Sequence, residues 1–480
     1  MRILFIEGTN PPNVRLIENA NELDSQPYVC LSHRWLPETE MAKLYRKDSE
    51  AFQKRIPVER LYPLVQDAVE ATVRLGFRYL WVDCFCIYQD HDDLRDWHIQ
   101  AAQMGQIYEN AILTISALSC DVTSQNKRIF RRSIPHQRFR PVGVRRPDEN
   151  TVWCKDELHP VDPTRPEDMN PCDEFPLMRR GWVYQERLLS RRTIYFTDTE
   201  LLWECDAAWW CECQGLEHIL KMKRNGWHKL RDVPWTSLVK DYTKTDLSQP
   251  SDRLPALSGI ASRIAKTCGW TYIAGIWLED SSLQLMWTGF GDIRPRTTPR
   301  NLPSWSWATA NQAVHFLPRA AKPLITIVSH AVVDGANPYG APLSATLVLK
   351  GPCLHATLVY PEKGASYVEV PSYVVVKKVR NSPQIIVENM MVSMRPDFLL
   401  TEQGGDFIAS GEEVLLMVYD IEKAADGLNA CGWTGLVLKR VHGCSTAEFE
   451  RIGCVLEFYS SMSEMEVLEQ ALVVQDVTIV

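Results

Sequence analysis

Tyr28-Val-Cys-Leu-Ser-His-Arg-Trp35 and Leu80-Trp-Val-Asp-Cys-Phe-Cys-Ile-Tyr-Gln-Asp90 decide the fold class of this 480-residue chain. Each starts as a short apolar run and breaks into polar residues at its carboxyl end. A strand buried in an open α/β sheet reads this way, and ligands bind outside the carboxyl ends of such strands. Between the two blocks, Leu61, Leu64, Val65, Ala68 and Thr72 recur at i, i+3, i+4 spacing. They predict a helix beginning near Leu61, with Pro63 in its first turn and Gly76 as its stop. Beyond the second block, the aspartates of Gln89-Asp-His-Asp-Asp-Leu94 are placed to cap a helix with the apolar stripe Trp97, Ala101, Met104 and Tyr108. Ile112–Leu118 is β-branched and apolar, so another strand. Strand, helix, strand, helix, strand predicts a largely parallel sheet.

Working outward, residues 1–27 read as one short strand followed by polar, turn-rich sequence. Residues 121–175 are rich in Arg, Pro and Asp and form a long insertion. A third block, Arg180-Gly-Trp-Val-Tyr-Gln-Glu-Arg-Leu-Leu189, predicts a helix over Trp182–Leu189. Arg192–Thr197 and Leu201–Cys205 follow as a hairpin. A Trp-rich mixed segment then carries Tyr272-Ile-Ala-Gly-Ile-Trp277 and Pro303-Ser-Trp-Ser-Trp307. From about 322 onward short apolar runs alternate with turns: Leu324–Val328, Ala345–Leu349, Tyr367–Val370, Glu413–Tyr419, Gly435–Leu438 and Cys454–Phe458. That pattern is all-β. The expected organisation is an α/β domain over 1–215, a Trp-rich α+β extension packed on it over 216–320, and a β-rich domain over 321–480.

The composition, 45% hydrophobic and 23% charged, is that of a globular protein. A net charge of −8 argues against general nucleic-acid binding, and no apolar run reaches the length of a membrane span. The expected location is the cytoplasm. Fourteen cysteines in a chain this long are not a disulfide scaffold, and most should behave as small buried hydrophobes. Cys205, Cys211, Cys213 and His218 lie close in sequence, and zinc would accept them. The spacing lacks paired CxxC knuckles, so the expectation is a Trp- and Cys-rich hairpin end without metal. There is no phosphate-binding GxxxxGK[ST] loop.

The candidate chemistry gathers at the strand ends. His33 beside Ser32 can act as acid, base or hydrogen-bond donor, or simply tie a loop down. Asp83 can hold a hydroxyl, a ribose or a cation, or cap the next turn. Cys84 or Cys86 becomes a nucleophile only if a base such as His33 lowers its pKa; otherwise both are packing. Gln89, Asp90 and Trp97 are placed to fix the acidic loop over a pocket rim. Trp182 and Glu186 share one helix face, and a Trp beside a carboxylate raises its pKa. Such a carboxylate suits general acid–base work or stabilisation of an oxocarbenium-like ribosyl transition state. The competing reading pairs Glu186 with Arg187 or Arg180. Arg187, Arg191 and Arg192 read as a solvated or ion-paired face.

Together the blocks resemble the HET (heterokaryon incompatibility) domain of filamentous fungi. The resemblance is carried by Ser32-His33-Arg34-Trp35, by Trp81-Val-Asp83 through Cys86-Ile-Tyr-Gln-Asp90 to Trp97, by Met104-Gly-Gln-Ile-Tyr108, and by Arg180-Gly-Trp182-Val-Tyr-Gln-Glu186-Arg187. It covers about 28–205. Arg34 and Leu36 depart from the residues common in that family.

The resemblance implies a flavodoxin/TIR-like parallel core and a role in fungal nonself recognition, as an effector of growth arrest or programmed cell death. Some TIR domains cleave NAD with a Glu four residues after a Trp, the interval of Trp182 and Glu186. On that analogy Glu186 would be catalytic with His33 and Asp83. Ser32, Trp35, Cys86, Gln89, Asp90, Arg180, Trp182 and Gln185 would line the site. NAD would be the substrate, with no cofactor certain. The implied partners are further copies of the domain and a separate incompatibility protein. Two other readings stand beside this one: a small-molecule enzyme of secondary metabolism using the same crevice for acid–base chemistry, and a binding module without catalysis.

Overall fold

The computed structural model describes residues 1–9, 12–19, 26–35, 42–90, 92–118, 128–130, 142–145, 151–154, 175–197, 201–206, 209–212, 233–290, 302–317, 323–359, 372–376, 390–397, 412–423, 430–441, 447–461 and 469–480. Two compact units make up the chain. The first comprises Met1–Val233 with Thr245–Leu247 and Ala256–Ile260, and the second Pro234–Lys244, Ser248–Pro255 and Ala261–Val480.

The first unit is built on an eight-stranded sheet. Its strands are β1 (Ile3–Glu7), β2 (Asn13–Ile17), β3 (Val29–Ser32), β4 (Tyr79–Trp81), β5 (Leu113–Ser116), β8 (Arg192–Phe196), β9 (Leu201–Cys205) and β10 (Trp209–Cys211). A separate hairpin pairs β6 (Val142–Arg145) with β7 (Thr151–Cys154). The sheet order is β10-β9-β8-β5-β3-β4-β1-β2. The four central strands, β8, β5, β3 and β4, run parallel, and both flanks are antiparallel. The strand–helix–strand reading of residues 28–118 therefore holds. Residues 1–27 hold a hairpin rather than one strand. Val14 and Leu16 alternate inward from β2, too few apolar positions to register as a period.

The helices explain themselves locally. α1 is Ser49–Lys54, and α2 is Pro63–Arg74. α2 starts two residues later than Leu61 because Pro63 takes the first helical position, where its missing N–H costs nothing. Its ring holds the preceding Tyr62 extended, at φ −67° and ψ 158°. Gly76, at φ 85°, closes the helix. β4 ends at Trp81, and Asp83 opens the one-turn helix α3 (Asp83–Cys86) instead of finishing the strand. The carboxylate of Asp83 accepts the Cys84 N–H at 2.7 Å, a local bond that competes with continuing the strand. Leu94 stands at the cap position of α4 (Arg95–Asn110), and Asp93, just before it, accepts the Arg95 N–H at 3.1 Å, so an expected aspartate does serve the helix start from one residue further out. The third block folds as α5 (Gly181–Leu189).

In the second unit lie α6 (Trp235–Tyr242), most of α7 (Ser258–Cys268), and α8 (Ser281–Gln284). Two small hairpins pair β11 (Tyr272–Ile273) with β12 (Ile276–Trp277) and β13 (Trp287–Phe290) with β14 (Ala313–Phe316). The tail is mostly β, as expected: β15 (Thr326–Val333), β16 (Ser344–Val359), β17 (Ser372–Val376), β18 (Met390–Pro396), β19 (Glu413–Lys423), β20 (Ala430–Arg440), β21 (Glu448–Ser461) and β22 (Val473–Ile479). β16 pairs with β15, β17, β19 and β22. The expected strand Tyr367–Val370 lies outside the described residues. Trp277, Trp287, Trp305 and Trp307 are fully buried. Trp235 and Trp307 both donate to the Gly275 carbonyl, and Trp287 donates to that of Trp305.

Candidate functional site

β3 and β4 are parallel neighbours, so the residues just past their carboxyl ends meet. Trp35 Nε1 donates to Asp83 Oδ2 at 2.7 Å, and His33 Nδ1 lies 3.8 Å from Asp83 Oδ1. His33 Nε2 is hydrogen-bonded to the Tyr62 hydroxyl, which lies 3.6 Å from Cys84 Sγ. Arg180, the cap of α5, donates to the His33 carbonyl at 2.5 Å. Four segments distant in sequence are thereby tied into one cluster. His33 is buried, and burial pushes its pKa down against the opposing pull of Asp83.

Glu186 faces inward from α5 and is only 5% exposed. Burial pushes its carboxyl up to about 7, against the hydroxyls of Ser32 and Tyr108 and the charge of Arg180, which favour ionisation. The charge of Asp83 adds to the rise. Ser32 Oγ and Glu186 Oε2, both buried, meet no hydrogen-bond geometry with a partner among the described residues. Unpaired buried polar atoms are costly and call for an explanation. Neither expected ion pair forms there. Arg180 is spent on the His33 carbonyl, and Arg187 lies 3.3 Å from Glu204, which also accepts from Tyr195. A half-ionised buried carboxyl beside the Ser32 hydroxyl can take or give a proton near neutrality, or stabilise a cation placed against it.

Other sequence candidates fall elsewhere. Trp182 packs edge-on against Trp97 with ring centres 6.0 Å apart, and it is burial that raises Glu186. Gln185 is fully buried and accepts the Gly259 N–H at 3.1 Å, which makes it a tie between segments. Asp90 accepts the Arg46 N–H, and Gln89 bonds the carbonyl of Ile87, so both brace the acidic loop against its neighbours. Cys86 Sγ accepts the Val82 N–H, and its thiol is pushed up to about 12 by burial. Burial also drives the Cys84 thiol well above its ordinary value, and His33 is bonded to Tyr62 rather than to it. Neither cysteine thus shows the lowered thiol pKa that an activated nucleophile needs. Cys213 and His218 lie outside the described residues, and Cys205 is half-buried at the end of β9.

Tyr62 and Tyr108 were absent from the candidates. Tyr108 Oη donates to the Leu31 carbonyl at 3.2 Å beneath Ser32. Its signal was the position closing Met104-Gly-Gln-Ile-Tyr108; Tyr62 had none beyond standing before a proline.

No curated protein and no solved structure matches the chain. A family model does match, described as heterokaryon incompatibility protein (HET), over residues 28–186. That span runs from the first residue of the opening block to Glu186 itself and takes in every member of the cluster. The chain therefore carries a HET domain of the heterokaryon incompatibility family over residues 28–186.

Proposed function

We propose that this chain is an effector of fungal heterokaryon incompatibility, driving growth arrest or cell death, and that its HET domain does so by TIR-like cleavage of NAD at Glu186. The observation that supports this most is Glu186 itself: buried, half-ionised at pH 7 and with an oxygen lacking a partner among the described residues. In the reaction the bond from ribose C1′ to the nicotinamide nitrogen breaks. The ring leaves as a neutral base and takes the bonding pair. Water then adds to C1′ and sheds one proton, giving ADP-ribose. Glu186, as carboxylate, stabilises the positive ribosyl centre. Ser32 sets a hydroxyl beside it, and Asp83, held by the Trp35 N–H, offers a polar contact for the ribose. Self-association of the domain and a separate incompatibility protein are the partners this role requires. The β-rich 321–480 is the alternative sensor. The cytoplasm is where such an effector meets NAD; no helix among the described residues is long and apolar enough to cross a membrane.

Purified wild type and Glu186→Gln are incubated with NAD from pH 5 to 9, and nicotinamide is followed by chromatography. The carboxylate is the working form, so the wild-type rate should climb about tenfold per pH unit below 7 and level off above it. The folded variant should release none. No release by wild type at high protein concentration under crowding would overturn NAD cleavage. It would leave the second reading, acid–base catalysis on another small molecule, which the near-neutral pKa of Glu186 also suits.

A further inference from the structure

His33, Asp83 and Cys84 place an imidazole nitrogen, a carboxylate oxygen and a thiol sulfur all within 4.8 Å of one another. Among the described residues they are the one such group of three. We propose that these three side chains form a binding site for a divalent transition-metal ion of the zinc type, open at its fourth position. The donor set is mixed nitrogen, oxygen and sulfur, which borderline ions accept and calcium or magnesium do not. Tetrahedral ligation needs donor atoms about 3.3–3.8 Å apart. The His33 Nδ1 to Asp83 Oδ1 separation of 3.8 Å already meets that. Three protein ligands with one free position is the pattern of catalytic rather than structural zinc.

The surroundings are those a ligand set needs. Trp35 Nε1 and the Cys84 N–H fix the two oxygens of Asp83 at 2.7 Å each. Tyr62 bonds the imidazole nitrogen remote from Asp83 and lies 3.6 Å from the sulfur. With the metal on Nδ1, Nε2 keeps its proton and donates it to the Tyr62 oxygen, which can in turn donate to the sulfur. Binding deprotonates Cys84: a metal–sulfur bond forms, the S–H bond breaks, and one proton goes to solvent. One thiolate and one carboxylate then balance the two positive charges, so the buried site carries no net charge. The Asp83 side chain, 18% exposed, is the member that reaches solvent and gives the ion its way in. Metal binding is read without turnover, so this inference and the NAD reading fail separately.

The test is a Co²⁺ titration of the full chain after chelator treatment and removal of the chelator. The expected result is a near-ultraviolet thiolate-to-cobalt band with the strong visible bands of four-coordinate Co²⁺. It should saturate at one equivalent and be reversed by Zn²⁺. Cys84→Ser, checked for folding by circular dichroism, should lose the thiolate band, and His33→Gln should bind Co²⁺ at least about tenfold more weakly. Absence of a saturable band in wild type overturns the site without recourse to any variant. So does a band that survives Cys84→Ser and disappears in Cys211→Ser or Cys213→Ser.

Discussion

Arg451 in the second unit and Glu186 in the first are both charged side chains taken out of water, and they differ in what meets them. The Arg451 guanidinium is bonded to Asp397 at 2.8 and 3.0 Å and to the carbonyls of Leu285 and Trp287, and it lies 3.8 Å from the Trp287 ring centre. Its charge is matched by a carboxylate, and its donors meet fixed acceptors. Glu186 has no cation within ion-pair distance among the described residues and one oxygen without a partner. The first arrangement can only hold β13, β18 and β21 together. The second leaves capacity to bind. Burial of a charge therefore does not mark a site; burial with a partner missing does.

The largest effect should come from breaking the satisfied cluster. Arg451→Met takes from the buried Asp397 both of its guanidinium bonds, and should cost about 3–5 kcal/mol in urea unfolding followed by tryptophan fluorescence. Adding Asp397→Leu should recover part of the loss, since the buried carboxylate that lost its guanidinium is then gone. A cost below about 1 kcal/mol for the single variant would erase the distinction between the two regions.

Next in size is a pH effect at Glu186. Its carboxyl stands at about 7 in the folded protein against 4.5 unperturbed, so between those values the folded state holds a proton the unfolded chain has lost. The stability this provides is complete below pH 4.5 and lost as pH rises through 7. It amounts to about 3 kcal/mol. Glu186→Gln, permanently neutral, should therefore gain on wild type by up to that amount between pH 4.5 and 8. Parallel stability curves would mean that the carboxylate is paired after all.

The smallest effect tests the frame behind the site. A methyl group on Gly105 would stand 2.6 Å from Gly259 Cα and 3.1 Å from Leu189. Gly105→Ala should cost about 1–3 kcal/mol by chemical denaturation, because backbone cannot give way as a side-chain tip can. A neutral result would show that α4 and the Gly259 segment are free to separate.

Much of the site was legible because strand ends advertise themselves. Ser32, His33 and Asp83 stand where apolar runs stop, and parallel pairing had to bring those ends together. Glu186 was legible as a carboxylate on an otherwise apolar helix face. Its environment was not. Trp182, one turn away on the same helix, turned toward Trp97, and Arg187 toward Glu204, because helix neighbours share a face without sharing partners. Cys84 and Cys86 looked alike in one apolar stretch. Only the one-turn helix at Asp83 sends one sulfur toward Tyr62 and the other toward the Val82 backbone.

By itself the amino-acid sequence determined the α/β class of the first part, the β character of the tail, and the HET domain motifs over residues 28–186. These follow from hydrophobic period, turn chemistry and ordered motifs, which are local in the chain. Only the tertiary structure decided which polar groups are satisfied. Tyr62 is set against His33, 29 residues earlier, and Arg180 against its carbonyl from 147 residues away. Whether a buried group finds a partner depends on what distant segments bring to it, and pairing at that range leaves no periodic trace in a sequence.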